Sequence, residues 1–198
     1  MIFALCFTIT VFLCSLPTGM ILLTWMHDIN PQQHGSKNIG MSNVWRIKGA
    51  FMGGLTLVGD LLKSYVALHI SAKLGVSDTM LSVIGVTAVL SHCYSIYLRG
   101  RGGKGVATAG GVLLYTTPYL CLGLAFLWFI TRKISQKASI ASLITSIFAV
   151  IISHWYASEW SPMILVLLLI IFWRHKENLS RIRSKTELSS HILPVDPL

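Results

Sequence analysis

A succession of apolar runs, separated by short segments that hold nearly all the cations, limits what this chain can fold into. The runs cover residues 2–25, 49–74, 79–98, 106–115, 118–131, 138–153 and 162–173. Hydrocarbon offers no partner to an open backbone, so each run reads as a helix. Thr116-Thr117-Pro118 interrupts what would otherwise be one long run, and Pro118 suits the first turn of a new helix. The run before it reaches only about 15 Å at about 1.5 Å per residue, half of a bilayer core. It is expected to start from a recessed loop. The expected fold class is therefore all-α: a polytopic integral membrane protein of about seven transmembrane helices. A single membrane-embedded domain would span 1–198, with a basic cytoplasmic tail from about 174.

Charge placement sets the expected orientation. With the N-terminus outside and the C-terminus cytoplasmic, every Lys and Arg but Lys63 and Lys73 falls on the inner side, as the positive-inside rule requires. Only 12% of residues are charged, against about 25% in soluble domains, and the mean hydropathy is +0.68. In a soluble chain a net charge of +9 would suggest nucleic acid. Here the cations flank apolar runs, so no nucleic-acid partner is expected and membrane lipids are. Cys6, Cys14, Cys93 and Cys121 lie in or at the ends of apolar runs, without metal-ligand spacing, so neither a disulfide framework nor a metal site is expected. Residues 1–23 lack a basic leader, so the first run reads as a retained span.

The candidate chemistry lies in the inner segments. Arg99-Gly100-Arg101-Gly102-Gly103-Lys104-Gly105 packs four glycines and three cations into one turn. Glycines let backbone N–H groups approach an anion, and a helix starting near Lys104 would add its own. The loop reads as phosphate-binding, with a merely orienting basic turn as the bland alternative. It is no Walker A loop, since Gly105 follows Lys104. The first inner segment holds Gly35, Ser36, Asn38, Asn43 and Arg46, good donors to oxygen, with Arg46 able to grip phosphate bidentately. Its alternative is a re-entrant loop capped by Ser42 or Asn43. Intramembrane Asp60 and Lys63 lie one helical turn apart and default to function, with a pair that merely ties helices together an equal alternative. His92 ends the third run; it is either a general base or, more commonly for such residues, bonded to a carbonyl. His175 and Asn178 share a helical face that could reach a ligand below the last run, with a solvated juxtamembrane helix as the bland alternative.

Together these motifs resemble the bacterial glycerol-3-phosphate acyltransferases that use acyl phosphate as donor, the PlsY family. That family carries G-S-x-N-x-G-x-[ST]-N-x-x-R, matched by 35–46; D-x-x-K, matched by Asp60 and Lys63; and G-G-K-G-V-A-T, matched by 102–108. Its H-x-x-N-[IL]-x-R matches 175–181, and its S-I-P is echoed by Ser15-Leu16-Pro17. Ser91 and Ser95 replace the usual Gly and Pro around His92, and Lys37 replaces a small residue. Arg99-Gly100-Arg101 is more basic than usual, and S-L-A-S-I survives only as Ala138-Ser139-Ile140, after Gln136 and Lys137. The H-x-x-x-x-D signature of other glycerol-phosphate acyltransferases is missing: Tyr97 follows His92 and Glu159 follows His154 at that spacing.

The resemblance implies transfer of an acyl group from acyl phosphate to the 1-hydroxyl of glycerol 3-phosphate, giving lysophosphatidic acid and inorganic phosphate, the first step of phospholipid synthesis. It implies no cofactor, no metal and no covalent enzyme intermediate. Lys104 with Gly102, Gly103 and Gly105 would hold the donor phosphate, joined by Arg101 and Thr108. Ser36, Arg46, His175 and Asn178 would hold glycerol 3-phosphate or the oxyanion, with Gly35, Asn38 and Asn43 in support; the proton acceptor is either a protein base or the donor phosphate itself. His92, Asp60, Lys63 and Ser139 are further candidates. The bacterial cytoplasmic (inner) membrane is the implied location, and contact with the enzyme that makes acyl phosphate is a candidate partnership. The alternatives are a small anion transporter or an inactive lipid-binding relative. Polar groups crowding the inner face, instead of lining the spans, favour catalysis.

Overall fold

The computed structural model describes residues 1–189, and these are helical with no strand. The last part of the basic tail, 190–198, lies outside the described residues. The helices are α1 Ile2–Ser15, α2 Thr18–His27, α3 Met41–Lys73, α4 Asp78–Cys93, α5 Val106–Thr116, α6 Pro118–Ser135, α7 Ala138–Tyr156, α8 Ser161–Arg174 and α9 Lys176–Arg183.

α3, α7 and the stretch Asp78–Leu98 are each long and apolar enough to cross a membrane, and α1 with α2 make a pair bent by 40°. The bend falls at Leu16-Pro17, where proline has no N–H to continue the ladder. The expected interruption at Thr116-Thr117-Pro118 is present: Thr117 leaves the helical region and Pro118 opens α6.

Two boundaries differ from the sequence reading. Residues 41–48, expected to be loop, form the first turns of α3. Gly40 is the N-cap, so Ser42 and Asn43 are helical and cap nothing. The helix breaks at Lys48 and Gly49, where Gly49 takes φ 79°, a conformation open to glycine at little cost. The third run stops at Cys93 instead of 98, because the backbone folds back on itself. Gly100 N–H bonds Ser95 O (2.9 Å) and Gly102 N–H bonds Cys93 O (3.2 Å).

Ile84, Ala88 and Val89 of α4, Val112 of α5 and Ile164 and Leu167 of α8 form the centre of the packing. Gly111 brings α5 against α3 closely enough that a β-carbon would lie 2.1 Å from Leu61 O. Small residues at helix contacts are what packing within lipid requires, since apolarity alone does not hold helices together there. The outer faces carry Phe126, Leu122, Phe129, Ile151, Leu169 and Trp155, all exposed. That apolar belt suits hydrocarbon, not water.

Candidate active site

A cavity of about 480 Å³ opens between α3, α5, α6, α7 and α8. One end is polar, lined by Ser36, Arg46, Lys104, Ser139, His175 and Asn178. The remainder is largely apolar, with Leu61, Leu113, Leu124, Trp128, Ile164 and Leu167 among its walls. Along α7, Ser139, Ser142, Ser146 and Ala149 line it a turn apart, so the groove follows that helix for about 15 Å. A charged head and an apolar tail would fit such a space together.

The polar end is assembled from inner segments far apart in sequence. Lys104 precedes α5, and its ammonium donates to Asn178 Oδ1. Burial pulls Lys104 down to about 8; Arg181 adds to this and Glu187 opposes it. His175, between α8 and α9, donates from Nδ1 to Ile171 O (2.8 Å), since a carbonyl can only accept. Burial, with Lys104 nearby, lowers its value to about 4, so the ring is neutral and Nε2 keeps its lone pair. Arg46 points from the first turns of α3, bonding Ser189 O through Nε (2.6 Å) and Ser42 O through Nη1 (3.2 Å).

Glu187, which the sequence reading missed, enters this cluster. Its carboxylate accepts from Ser139 Oγ (2.7 Å), Asn178 Nδ2 (2.6 Å) and Arg181 Nε (2.8 Å). Burial works to raise its pKa, but these three hydrogen bonds and the Arg181 charge outweigh that and hold it low. Nothing in the sequence sets it apart from Glu177 and Asp196, the other acids of the basic tail. Because the carboxylate only accepts, it fixes the Asn178 amide, leaving Oδ1 to face Lys104.

The other candidates play different parts, with Asn38 and Asn43 also on the cavity wall. Asn43 Nδ2 donates to Pro31 O, His34 O and Asn38 O at 2.9–3.1 Å, and Oδ1 accepts from Ser36 N–H, so this side chain shapes its own loop. Asn38 Oδ1 likewise accepts from Gly40 N–H (2.9 Å). Gly35 takes φ 58° in the same loop. Arg101 is exposed and lines a separate shallow depression with Gln32 and Arg99. Thr108 is buried; its carbonyl accepts from Ser64 Oγ (2.8 Å) and its hydroxyl has no partner among the described residues. Asp60 and Lys63 pair at 2.8 Å, and His92 lies 2.9 Å from Lys63. Asp60 and His92 line the cavity.

The glycine loop works differently from the sequence expectation. Gly102 and Gly103 turn their N–H groups back to Cys93 O and His92 O, and their carbonyls accept from Arg174. Those two N–H groups do not face an anion. The glycines instead permit close contact: a β-carbon on Gly102 would lie 2.0 Å from His92 O. The N–H groups of Gly105, Val106 and Ala107 precede Ala109, whose N–H bonds Gly105 O at 2.7 Å. These residues line the cavity at the start of α5, where a helix favours negative charge.

The model of the family described as glycerol-3-phosphate acyltransferase matches residues 4–185. The chain belongs to this family. Among its relatives, the glycerol-3-phosphate acyltransferase of Geobacillus kaustophilus is 34% identical over 186 residues, 93% of this chain and 94% of the relative. That of Bacillus subtilis is 35% identical over 188 residues, covering 94% and 97%. That of Geobacter sulfurreducens is 38% identical over 181 residues, covering 87% and 90%. The fold matches the crystal structure of PlsY (YgiH), an integral membrane glycerol 3-phosphate acyltransferase, in its glycerol 3-phosphate form. The TM-score is 0.87 and the identity 28%, with 94% of each chain covered. The lysophosphatidic acid form of that protein matches with a TM-score of 0.85. The PlsY family resemblance carried by the motifs is thereby shown.

Proposed function

We propose that this membrane enzyme transfers a fatty acyl group from acyl phosphate to the 1-hydroxyl of glycerol 3-phosphate. Membership of the acyltransferase family supports the acyl transfer and glycerol 3-phosphate as acceptor. The observation that carries the reading further is the two-part cavity, with cations and amide donors at one end and an apolar groove at the other. The hydroxyl oxygen attacks the acyl carbonyl carbon and forms the ester. The bond from that carbon to the bridging oxygen breaks, inorganic phosphate leaves and lysophosphatidic acid remains. The hydroxyl proton ends on the departing phosphate.

The residues divide the work by charge and hydrogen-bonding capacity. Lys104 and the first turn of α5 (Gly105 to Ala107) hold phosphate and stabilise charge as it departs. Arg46, Ser36, Ser139 and Asn178 hold the second phosphate, with Glu187 and Arg181 setting the geometry of Asn178. Neutral His175 accepts the hydrogen bond of the attacking hydroxyl through Nε2. Its low pKa makes it an orienting acceptor, and donor phosphate is the proton sink. Asn38 and Asn43 keep the first inner loop in shape, and Gly35 allows its turn.

The same reading makes the whole chain one membrane-embedded unit of seven spans in the bacterial cytoplasmic membrane, counting α1 with α2 as one. The N-terminus is outside and the basic tail cytoplasmic, where soluble glycerol 3-phosphate and the enzyme supplying acyl phosphate would meet it. Purified protein given acyl phosphate and glycerol 3-phosphate should release inorganic phosphate and lysophosphatidic acid in equal amounts. Release of phosphate without the ester would mean hydrolysis and would defeat the transfer reading.

A further inference from the structure

His92 is the buried last-turn histidine of α4, and its surroundings fix where its proton lies. Lys63 Nζ is 2.9 Å from His92 Nδ1. An ammonium only donates, so Nδ1 accepts and the ring proton resides on Nε2. Lys63 spends its other two protons on Asp60 Oδ1 (2.8 Å) and on Leu16 O (2.8 Å), the carbonyl at the break between α1 and α2. Thr18 Oγ1 donates to the same Asp60 oxygen at 3.0 Å. Asp60 Oδ1 stands 3.6 Å from His92 Nδ1, too far for a hydrogen bond, so Lys63 and not Asp60 sets the tautomer. The Nε2 edge lies against the glycine loop: a β-carbon on Gly103 would come within 2.0 Å of it. The ring lines the same cavity as Lys104 and the first turn of α5.

We propose that His92 is a catalytic residue of the acyl transfer, acting as a neutral Nε2–H donor to the acyl phosphate. Its hydrogen bond falls on a donor oxygen that gains negative charge as the carbonyl is attacked. The proton stays on Nε2 throughout. Asp60 and Lys63 are positioning residues: they hold Nδ1 as an acceptor and so keep the donor edge toward the loop. His175, bonded through Nδ1 to Ile171 O, presents the opposite tautomer to the same cavity. One imidazole thus offers a proton to the acyl donor, and the other accepts from the acceptor hydroxyl. The proposal rests on the acyl-transfer reading above.

The test uses the full chain in lipid nanodiscs with ¹⁵N-labelled histidine. His92 should appear as the Nε2–H tautomer, and its Nε2 resonance should shift when a nonreactive acyl phosphonate binds, but not with glycerol 3-phosphate alone. His92→Phe, which keeps the ring volume without a donor, should lose about a hundredfold in kcat, as for loss of one preorganised donor, with KM for glycerol 3-phosphate changed less than about twofold. Lys63→Met should convert part of the population to the Nδ1–H tautomer and lower kcat in parallel. An Nδ1–H or doubly protonated His92 in the wild-type protein, or an Nε2 resonance indifferent to the phosphonate, would overturn the proposal without any variant having to fold. Wild-type protein that acylates glycerol 3-phosphate with a silent His92 defeats this proposal alone. Wild-type protein that acylates nothing defeats the underlying reading with it.

Discussion

Lys104 is buried beside Arg181, so burial and like charge both loosen its proton, while Glu187 tightens it. As pH rises through about 8 the charged fraction falls, and with it the attraction for phosphate. KM for acyl phosphate should therefore climb above that pH, as steady-state kinetics across pH 6.5 to about 9.5 would show. Glu187→Gln should move the rise to lower pH. The sign for stability is the reverse of that for binding. Between about 8 and the ordinary lysine value of 10.5, the unfolded chain holds a proton that the folded chain has released, so this residue's contribution to stability grows with pH. Size is tested separately from charge. Lys104→Arg keeps the positive charge but brings a fork too wide for the space beside Asn178, and should cost about 3 kcal/mol in turnover, roughly a hundredfold. Lys133→Arg, in the last turn of α6, should leave turnover and membrane level unchanged. Arg132 would be a poor control: it stacks on Trp45 (4.8 Å) and Trp128 (5.7 Å), so it does more than orient the chain.

Helix packing depends on a few positions where nothing larger fits. Gly111→Leu should separate α5 from α3 and tilt the start of α5 away from the cavity, since its β-carbon would lie 2.1 Å from Leu61 O. Overpacking of this kind costs about 3 kcal/mol, which thermal unfolding in detergent would register as a lower midpoint. Gly123→Ala, with open space at its β-position, should not lower it. The element plan was legible because apolar runs and Pro118 act locally. The turns at 41–48 were not, because their polar side chains hide a helix that packs against others. Lys104, Arg46, His175 and Asn178 were legible as residue types held near one face. The fate of the Gly102 and Gly103 N–H groups was not: it depends on where α4 ends, which only the fold decides. Glu187 was invisible for the same reason, being placed by partners 9 and 48 residues away.

At the scale of the whole molecule, function depends on the two-part cavity and on the side of the membrane that it faces. Topology is open to cysteine labelling in a background lacking Cys6, Cys14, Cys93 and Cys121. Ser158→Cys, in the exposed turn between α7 and α8, should react with an impermeant reagent in intact cells. Ser184→Cys, after α9, should react only once the membrane is opened. Reaction at 184 in intact cells would invert the orientation and place the cations on the wrong side. The most direct test of the account is a donor comparison on purified protein, with glycerol 3-phosphate as acceptor and acyl phosphate, acyl-CoA or acyl carrier protein supplied singly. A cavity that grips a compact phosphate beside Lys104 predicts lysophosphatidic acid from acyl phosphate alone, with one inorganic phosphate per ester formed. Equal rates from acyl-CoA, or no ester from acyl phosphate, would contradict it.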